Sequence, residues 1–336
     1  MKEPTIYHIA NQLDISASTV SRAIADNPRI STKTKERVIA KAKELGYRQN
    51  RIASSLRSGR GTTIGVVVPQ IQRYFFSSVI HGIEVVLNGN GFNLIICQSN
   101  EDACQEEQAI KTLMDNRVDG ILISSSKQTT NHDHIRQVTD LGVPVVQFDR
   151  VMDEMLTSSV INDNYSGAYK LVTHLIEQGY SRIAHLAGPQ NLSLYRLRLE
   201  GYKKALDEAG IECSQELIRD AITIEAGTSV AADLMKQTNP PDAFFAASDL
   251  SALGALNYLK AECYEIPGEV GVAGFGNEPL TEMITPSLTT MEQFGVDMGK
   301  KSAMLLLDSI NGVDQIITTS TLINPRLVVR ESTKRT

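Results

Sequence analysis

From Thr62 onward, short continuous apolar runs alternate with helical patterns, and this alternation limits the folds open to the chain. The runs are I-G-V-V-V-P, F-N-L-I-I-C, V-D-G-I-L-I-S and V-P-V-V-Q-F-D, with helices expected between them, two of them over 103–116 and 131–141. A strand that is apolar on both faces belongs in a sheet covered on both sides. Strands separated by helices pair in parallel. A second series starts near Ser159. It runs V-I-N-D-N, helix 165–178, R-I-A-H-L-A-G, helices 194–209 and 226–237, A-F-F-A-A, helix 249–261 and V-G-V-A-G-F-G. Two such series predict an α/β domain of two Rossmann-like lobes. Ligands of these sheets bind beyond the carboxyl ends of the strands, so facing lobes would enclose a cleft there.

The first 60 residues have another texture. They hold 12 Lys and Arg against 5 Asp and Glu, a balance of +7 in a chain of net charge −6, which leaves −13 for the rest. A basic head on an acidic body suggests that only the head meets a polyanion. Within it, Ile6, Ile9, Ala10 and Leu13 share one helical face. Asp14 suits a left-handed turn residue, and Ser16 suits the N-cap of a second helix. Val20 and Ile24 would face the first helix, leaving Ala17, Ser18, Ser21 and Arg22 outward. That face is slim and carries one forked donor able to grip guanine O6 and N7, as a recognition helix does. The same residues also suit a helical hairpin with a solvated polar face. Ser31 would cap a third helix over Thr32 to Leu45 with Val38, Ile39, Ala42 and Leu45 inward, and Gly46 would end it. Asn50 could cap a short helix from Arg51 to Arg57. Its exposed Leu56 reads either as a minor-groove wedge or as a stray leucine in a linker.

Several function classes find no support. There is no G-x-G-x-x-G or G-x-x-x-x-G-K-[ST] after a strand and no H-E-x-x-H, and no Ser/His/Asp order stands out, so no catalysis, cofactor or metal is expected. Cys97, Cys104, Cys213 and Cys263 are scattered and read as reduced thiols. No apolar run approaches a membrane span, and no secretory leader is legible, which points to a cytoplasmic, nucleoid-associated protein without a membrane partner. A transport solute-binding protein would show a leader and no basic head.

The residues match a known pattern. S-x-S-T-V-S-R-A-I, A-K-E-L-G-Y-R-x-N, I-A-S-S-L-R, T-I-G-V-V-V-P, V-D-G-I-L-I, P-V-V-Q-F-D-R, R-L-R-L-E-G-Y and P-S-L-T-T-M-E-Q make the chain resemble the LacI/GalR (lactose-repressor) family of bacterial transcription regulators over nearly its whole length. The resemblance implies an all-α helix-turn-helix domain at 1–48, a hinge helix and linker at 49–61, and a periplasmic-binding-protein-like effector and dimerisation domain at 62–330. Lobe one would take about 62–158 and 293–323, and lobe two about 159–290 and 324–330, with crossings near 149–160, 276–290 and 290–295. It also implies a homodimer on a palindromic operator and a carbohydrate or derivative as effector; the absence of a leucine heptad tail argues against a tetramer.

Residue roles follow from the resemblance. Ala17, Ser18 and Arg22 would read bases. Tyr7, Ser16, Thr19, Ser21, Ser31, Thr34, Tyr47 and Asn50 would touch phosphates or nearby edges, and Thr5 and Ser54 join the DNA-binding set. Leu56 would enter the minor groove at a central CpG step. Phe75 and Phe76 would contact the effector, with core packing as the competing role. Asp149 and Arg198 would clamp hydroxyls or a carboxylate. Asp249, read as a helix N-cap, and Asn277 complete the effector set. Two departures stand out. Gln49 replaces the usual Pro before Asn50, and Gly276 stands where the family often has an acidic residue.

Overall fold

Alternation along the strands assigns each residue to a face. The computed structural model describes residues 4–47, 62–152, 157–312 and 318–335. The chain divides into two compact units, 1–61 and 62–336.

In the larger unit the apolar runs form two parallel sheets. The first contains β1 (Thr63–Val68), β2 (Asn93–Gln98), β3 (Gly120–Ile123), β4 (Val145–Phe148), β5 (Ser158–Asn162) and β11 (Ser320–Ile323), in the order β11-β5-β4-β3-β1-β2. Val66, Val68, Leu122, Val146 and Phe148 enter one core, closed by helices α4 (Tyr74–Gly89) and α12 (Gly295–Ile310). Val67, Ile121, Ile123 and Val145 enter the other, under α5 (Ala103–Asp115) and α6 (Asp133–Asp140). Residues one apart on a strand point to opposite faces, which is why runs with no polar alternation bury both. Helices α4 and α12 meet backbone to backbone. A Cβ on Gly82 would lie 2.1 Å from the Val296 carbonyl oxygen, and one on Gly299 2.0 Å from that of Val79.

The second sheet orders β7 (Ile218–Asp220), β6 (Ile183–Ala187), β8 (Ala243–Ala246) and β9 (Gly271–Ala273). Helices α7 (Asn164–Glu177) and α8 (Ser193–Glu208) cover one face. Helices α9 (Ile224–Met235) and α10 (Asp249–Ala261) cover the other. After the short helix α11 (Leu280–Met283), β10 (Thr290–Glu292) pairs antiparallel with β12 (Arg326–Val328).

The lobe boundaries differ from the sequence expectation. Strand β5 pairs with β4 and β11 in the first sheet, so the chain leaves lobe one after Asn162 rather than near Ser159. Residues 276–290 hold no crossing, because Gly276 bridges to Glu292 and Ala273 to Thr289 within lobe two. The other crossings lie between β10 and α12 and between β11 and β12. An apolar pattern marks a strand but not the sheet that it joins, because pairing partners such as β5 and β11 are far apart in sequence.

The smaller unit has α1 (Ile6–Leu13), α2 (Ala17–Ile24) and α3 (Thr32–Glu44) around Ile9, Ala10, Val20, Ala23 and Val38. Asp14 adopts the left-handed conformation at φ +54°, and Gly46 follows α3 at φ +65°. Ile39 was expected in this core but is 58% exposed. Val38, Ala42 and Leu45 repeat at i, i+4, i+7, and one step onward turns the side chain by roughly 100° away from them.

Candidate nucleic-acid interface and ligand cleft

All three helices of the head begin with a hydroxyl residue, and none has an acidic residue in its first turn. Ser16 accepts the Thr19 N–H at 3.1 Å, and its Oγ lies 2.8 Å from both the Ser18 and Thr19 hydroxyls. Ser31 accepts the Thr34 N–H at 3.3 Å and meets its hydroxyl at 2.9 Å. Thr5 precedes α1, where its N–H donates to His8 Nδ1 at 2.9 Å. Helix N-termini that carry hydroxyls and no carboxylate suit phosphate oxygens. Ser18 and Arg22 are exposed on the outer face of α2, and Tyr7 is exposed on α1. Ser21 is half-buried. Ala17 and Tyr47 also pack partly against the head's core. Gln49, Asn50, Ser54 and Leu56, with the expected hinge helix, lie outside the described residues.

The cleft forms where the carboxyl ends of both sheets face each other, and its free space is only about 100 Å³, so a molecule seated there touches both lobes. Asp149 follows β4 at φ +59°, pinned by its own N–H to Val160 O at 3.0 Å and by the Arg150 N–H to Phe148 O at 2.7 Å. A non-glycine residue held there is strained, and such strain concentrates at functional sites. Burial raises the Asp149 pKa, against the pull of Arg150 and Arg198. Arg150 lies over the Phe76 ring at 5.7 Å and donates Nη1 to Glu101 at 2.6 Å. Burial opposes ionisation of Glu101, but Arg150 and the Lys127 N–H outweigh it and lower its pKa.

Arg198 comes from α8 in lobe two and is 4% exposed. Its Nε donates to Asn164 at 2.9 Å, Nη1 to the Ala247 carbonyl at 2.6 Å and Nη2 to Gln293 at 3.1 Å. Its guanidinium lies 3.7 Å from the Phe275 ring centroid. Burial lowers its pKa to about 10, which leaves it charged at neutral pH. Asp249 is the first residue of α10, and the N-cap is Ser248, which corrects the sequence reading. Its carboxylate accepts Thr290 Oγ1 at 2.5 Å and the Glu278 N–H at 2.8 Å. Burial pushes its pKa up to about 6.

This carboxylate also accounts for the glycine at 276. Gly276 has φ +151°, and a Cβ there would lie 2.9 Å from Asp249 Oδ2. The space that a side chain at 276 would take is held by an acid from the neighbouring helix.

Phe75, Phe76, Asp149, Arg198 and Asp249 line one cleft. Phe76 also belongs to the lobe-one core. Asn277 is not among the lining residues. Its amide donates to Glu292 at 2.6 Å and accepts from Arg330 at 2.9 Å, which ties β10 to the C-terminal segment. Sequence reasoning missed Glu101, Arg150, Tyr195, Phe275, Glu278 and Gln293, all of which line the cleft. Three of them could have been found by position, since Glu101, Arg150 and Phe275 each lie two or three residues beyond a strand end. Among the described residues no group of three or more His, Cys, Asp or Glu could hold a metal, and no helix is long and apolar enough to cross a membrane.

Comparison with known proteins agrees with this division. Residues 5–50 match "Bacterial regulatory proteins, lacI family", and residues 61–330 match "Periplasmic binding proteins and sugar binding domain of LacI family". The chain is 33% identical to the HTH-type transcriptional repressor CytR of Escherichia coli (strain K12), covering 98% of this chain and 96% of that protein. Among solved structures it is similar to the lac repressor dimer bound to operator and the anti-inducer ONPF, with TM-score 0.87, 26% identity and 99% of each chain covered. It is also similar to the transcriptional regulator CelR–cellobiose complex, with TM-score 0.75, 31% identity, and 98% of this chain and 99% of that one covered.

Proposed function

The chain belongs to the LacI family of bacterial regulatory proteins, and from that premise we propose that it is a ligand-responsive repressor that binds a palindromic operator as a homodimer. The observation that carries this reading is the outer face of α2, where Ser18 and Arg22 are exposed, in a head whose α2 and α3 are each capped by a serine hydroxyl. Arg22 would read guanine in the major groove, Ser18 and Ala17 would contact neighbouring edges, and the helix ends would seat phosphates. A two-fold dimer presents two such faces to two half-sites. Leu56 would act at the operator's centre. No catalytic role is assigned, and a regulator of DNA works in the cytoplasm.

The effector of this reading is a carbohydrate or derivative in the cleft, held by Asp149, Arg198 and Asp249 between Phe75, Phe76 and Phe275. The cellobiose complex of a similar regulator supports that class. A ligand that binds one separation of the lobes better than another shifts their equilibrium, and with it the geometry of the dimer's DNA-binding heads.

Selection of bound sequences from a random duplex library with the full-length chain tests the reading. The expected result is an enriched palindrome with a central CpG. No enrichment, with and without pooled sugars and sugar phosphates, would overturn it.

A further inference from the structure

The hydrogen-bond occupancy of the cleft says what its ligand must bring. Its arginines are engaged with protein oxygens, although the buried Arg150 Nε has no acceptor within hydrogen-bond distance. Arg198 donates from all three of its nitrogens to protein oxygens. Arg150 is paired with Glu101 at 2.6 Å, and Arg73 donates Nε to Gln70 at 3.1 Å. The carboxylates divide differently. Glu101 and Asp249 each accept two donors from the protein. Asp149 is 7% exposed, and among the described residues no donor reaches its carboxylate within hydrogen-bond distance; the nearest ion-pair contact is Arg150 Nε at 4.0 Å. Glu278, half-buried, likewise has no donor on its carboxylate, although its backbone is fixed by its N–H to Asp249 at 2.8 Å and its carbonyl to Thr281 Oγ1 at 2.6 Å. Arg73 of the other lobe supplies the opposing charge.

One open acceptor thus lies on each lobe, in a cleft whose lining carries four carboxylates against three guanidinium groups. A buried carboxylate without a donor is costly, and a molecule that supplies O–H groups removes the cost at both places. A phosphate ester or sugar acid would bring hydroxyls as well, but its anionic group is itself an acceptor and would meet more carboxylates than guanidinium groups. We propose that Glu278 is a specificity-determining residue which, with Asp149 across the cleft, selects an uncharged, hydroxyl-rich ring and excludes phosphate esters and sugar acids. This rests on the reading that the cleft holds the effector, and it narrows that effector to unphosphorylated molecules. Hydroxyls donated to Asp149 and Glu278 at once would also join the two lobes.

The test is thermal melting of the full-length chain with three pools: neutral sugars and nucleosides, the phosphate monoesters of the same compounds, and uronic and aldonic acids. The neutral pool should raise Tm and the other two should not. A rise with phosphates or acids overturns the proposal, and so does the absence of any rise. Enrichment of a palindrome in the operator selection, read separately, shows whether the regulator reading stands when the cleft assignment falls. For a stabilising neutral compound, Glu278→Gln should weaken binding roughly tenfold by calorimetry, since a hydrogen bond to a charged acceptor is lost. Unchanged affinity in a variant whose unliganded Tm and circular dichroism match the wild type overturns the role of Glu278. Glu278→Arg, under the same folding controls, should let the phosphate pool raise Tm; no gain there counts against charge exclusion.

Discussion

The head and the larger unit solve opposite problems. The head has five fully packed apolar residues, and Tyr7, Ser18 and Arg22, assigned to DNA, lie at its surface. The larger unit buries its working groups: Asp149, Arg198 and Asp249 are each less than a tenth exposed. A surface reader can act as a stiff shape in water, because phosphates and base edges come to it. A ligand cleft must hold charges away from water, so Arg198 and Asp249 are fixed by several side-chain partners and Asp149 by its backbone, and burial shifts the acids up and Arg198 down. Damage should therefore be local and specific in the head, and broad in the larger unit.

Substitutions can break that contrast or sharpen it. The largest effect is expected for Gly299→Val, which puts side-chain carbons against the Val79 carbonyl where α4 and α12 touch. It should cost about 3 kcal/mol or more and lower the melting temperature of the larger unit. A melt unchanged within a degree would mean that the two helices are not packed as described.

Next is Arg198→Met. It leaves Asn164, Gln293 and the Ala247 carbonyl without their donor, a loss of about 1–3 kcal/mol in stability. Ligand-induced stabilisation should disappear while operator affinity without ligand is kept. Loss of operator binding in a folded variant would blur the division of labour between the units.

Arg22→Ala should cost about 1–3 kcal/mol on the selected operator and far less on random duplex, measured by fluorescence anisotropy. Equal losses on both would make Arg22 a phosphate contact rather than a base reader.

The smallest effect is a pH dependence. The folded pKa of Asp249 is raised to about 6, above its value in the unfolded chain. Its protonated form thus contributes stability that is present at low pH and is lost as pH rises through about 6. Asp249→Asn should remove that loss. The Tm of the variant minus that of the wild type should increase between pH 5 and pH 7, whereas His185, neutral and buried in both proteins, cancels from the difference. A flat difference would show that Asp249 does not titrate in this range.

The sequence revealed the two units unequally for the same physical reason. The helices of the head follow from contacts three and four residues apart, the Ser16 and Ser31 caps, and the turn at Asp14, all local signals. Runs such as I-G-V-V-V declared buried parallel strands just as directly. The assignment of β5 to the first sheet did not show, because its partner β11 lies about 160 residues away. Asp149 and Arg198 were legible at strand-end and motif positions. Gln293 and Glu278 were not, because their roles exist only once separate loops converge on Arg198 and Asp249. Asn277 misled for the same reason, since only the fold brings Glu292 and Arg330 to it.

The central claim is that occupancy of the buried cleft sets the affinity of the exposed reading face. The direct measurement is the Kd of the full-length chain for its selected palindrome, with and without a saturating neutral compound that raises Tm. The account predicts a change of about fivefold or more, in either direction, that is absent in Arg198→Met. An operator Kd unmoved by a compound that demonstrably binds would contradict it.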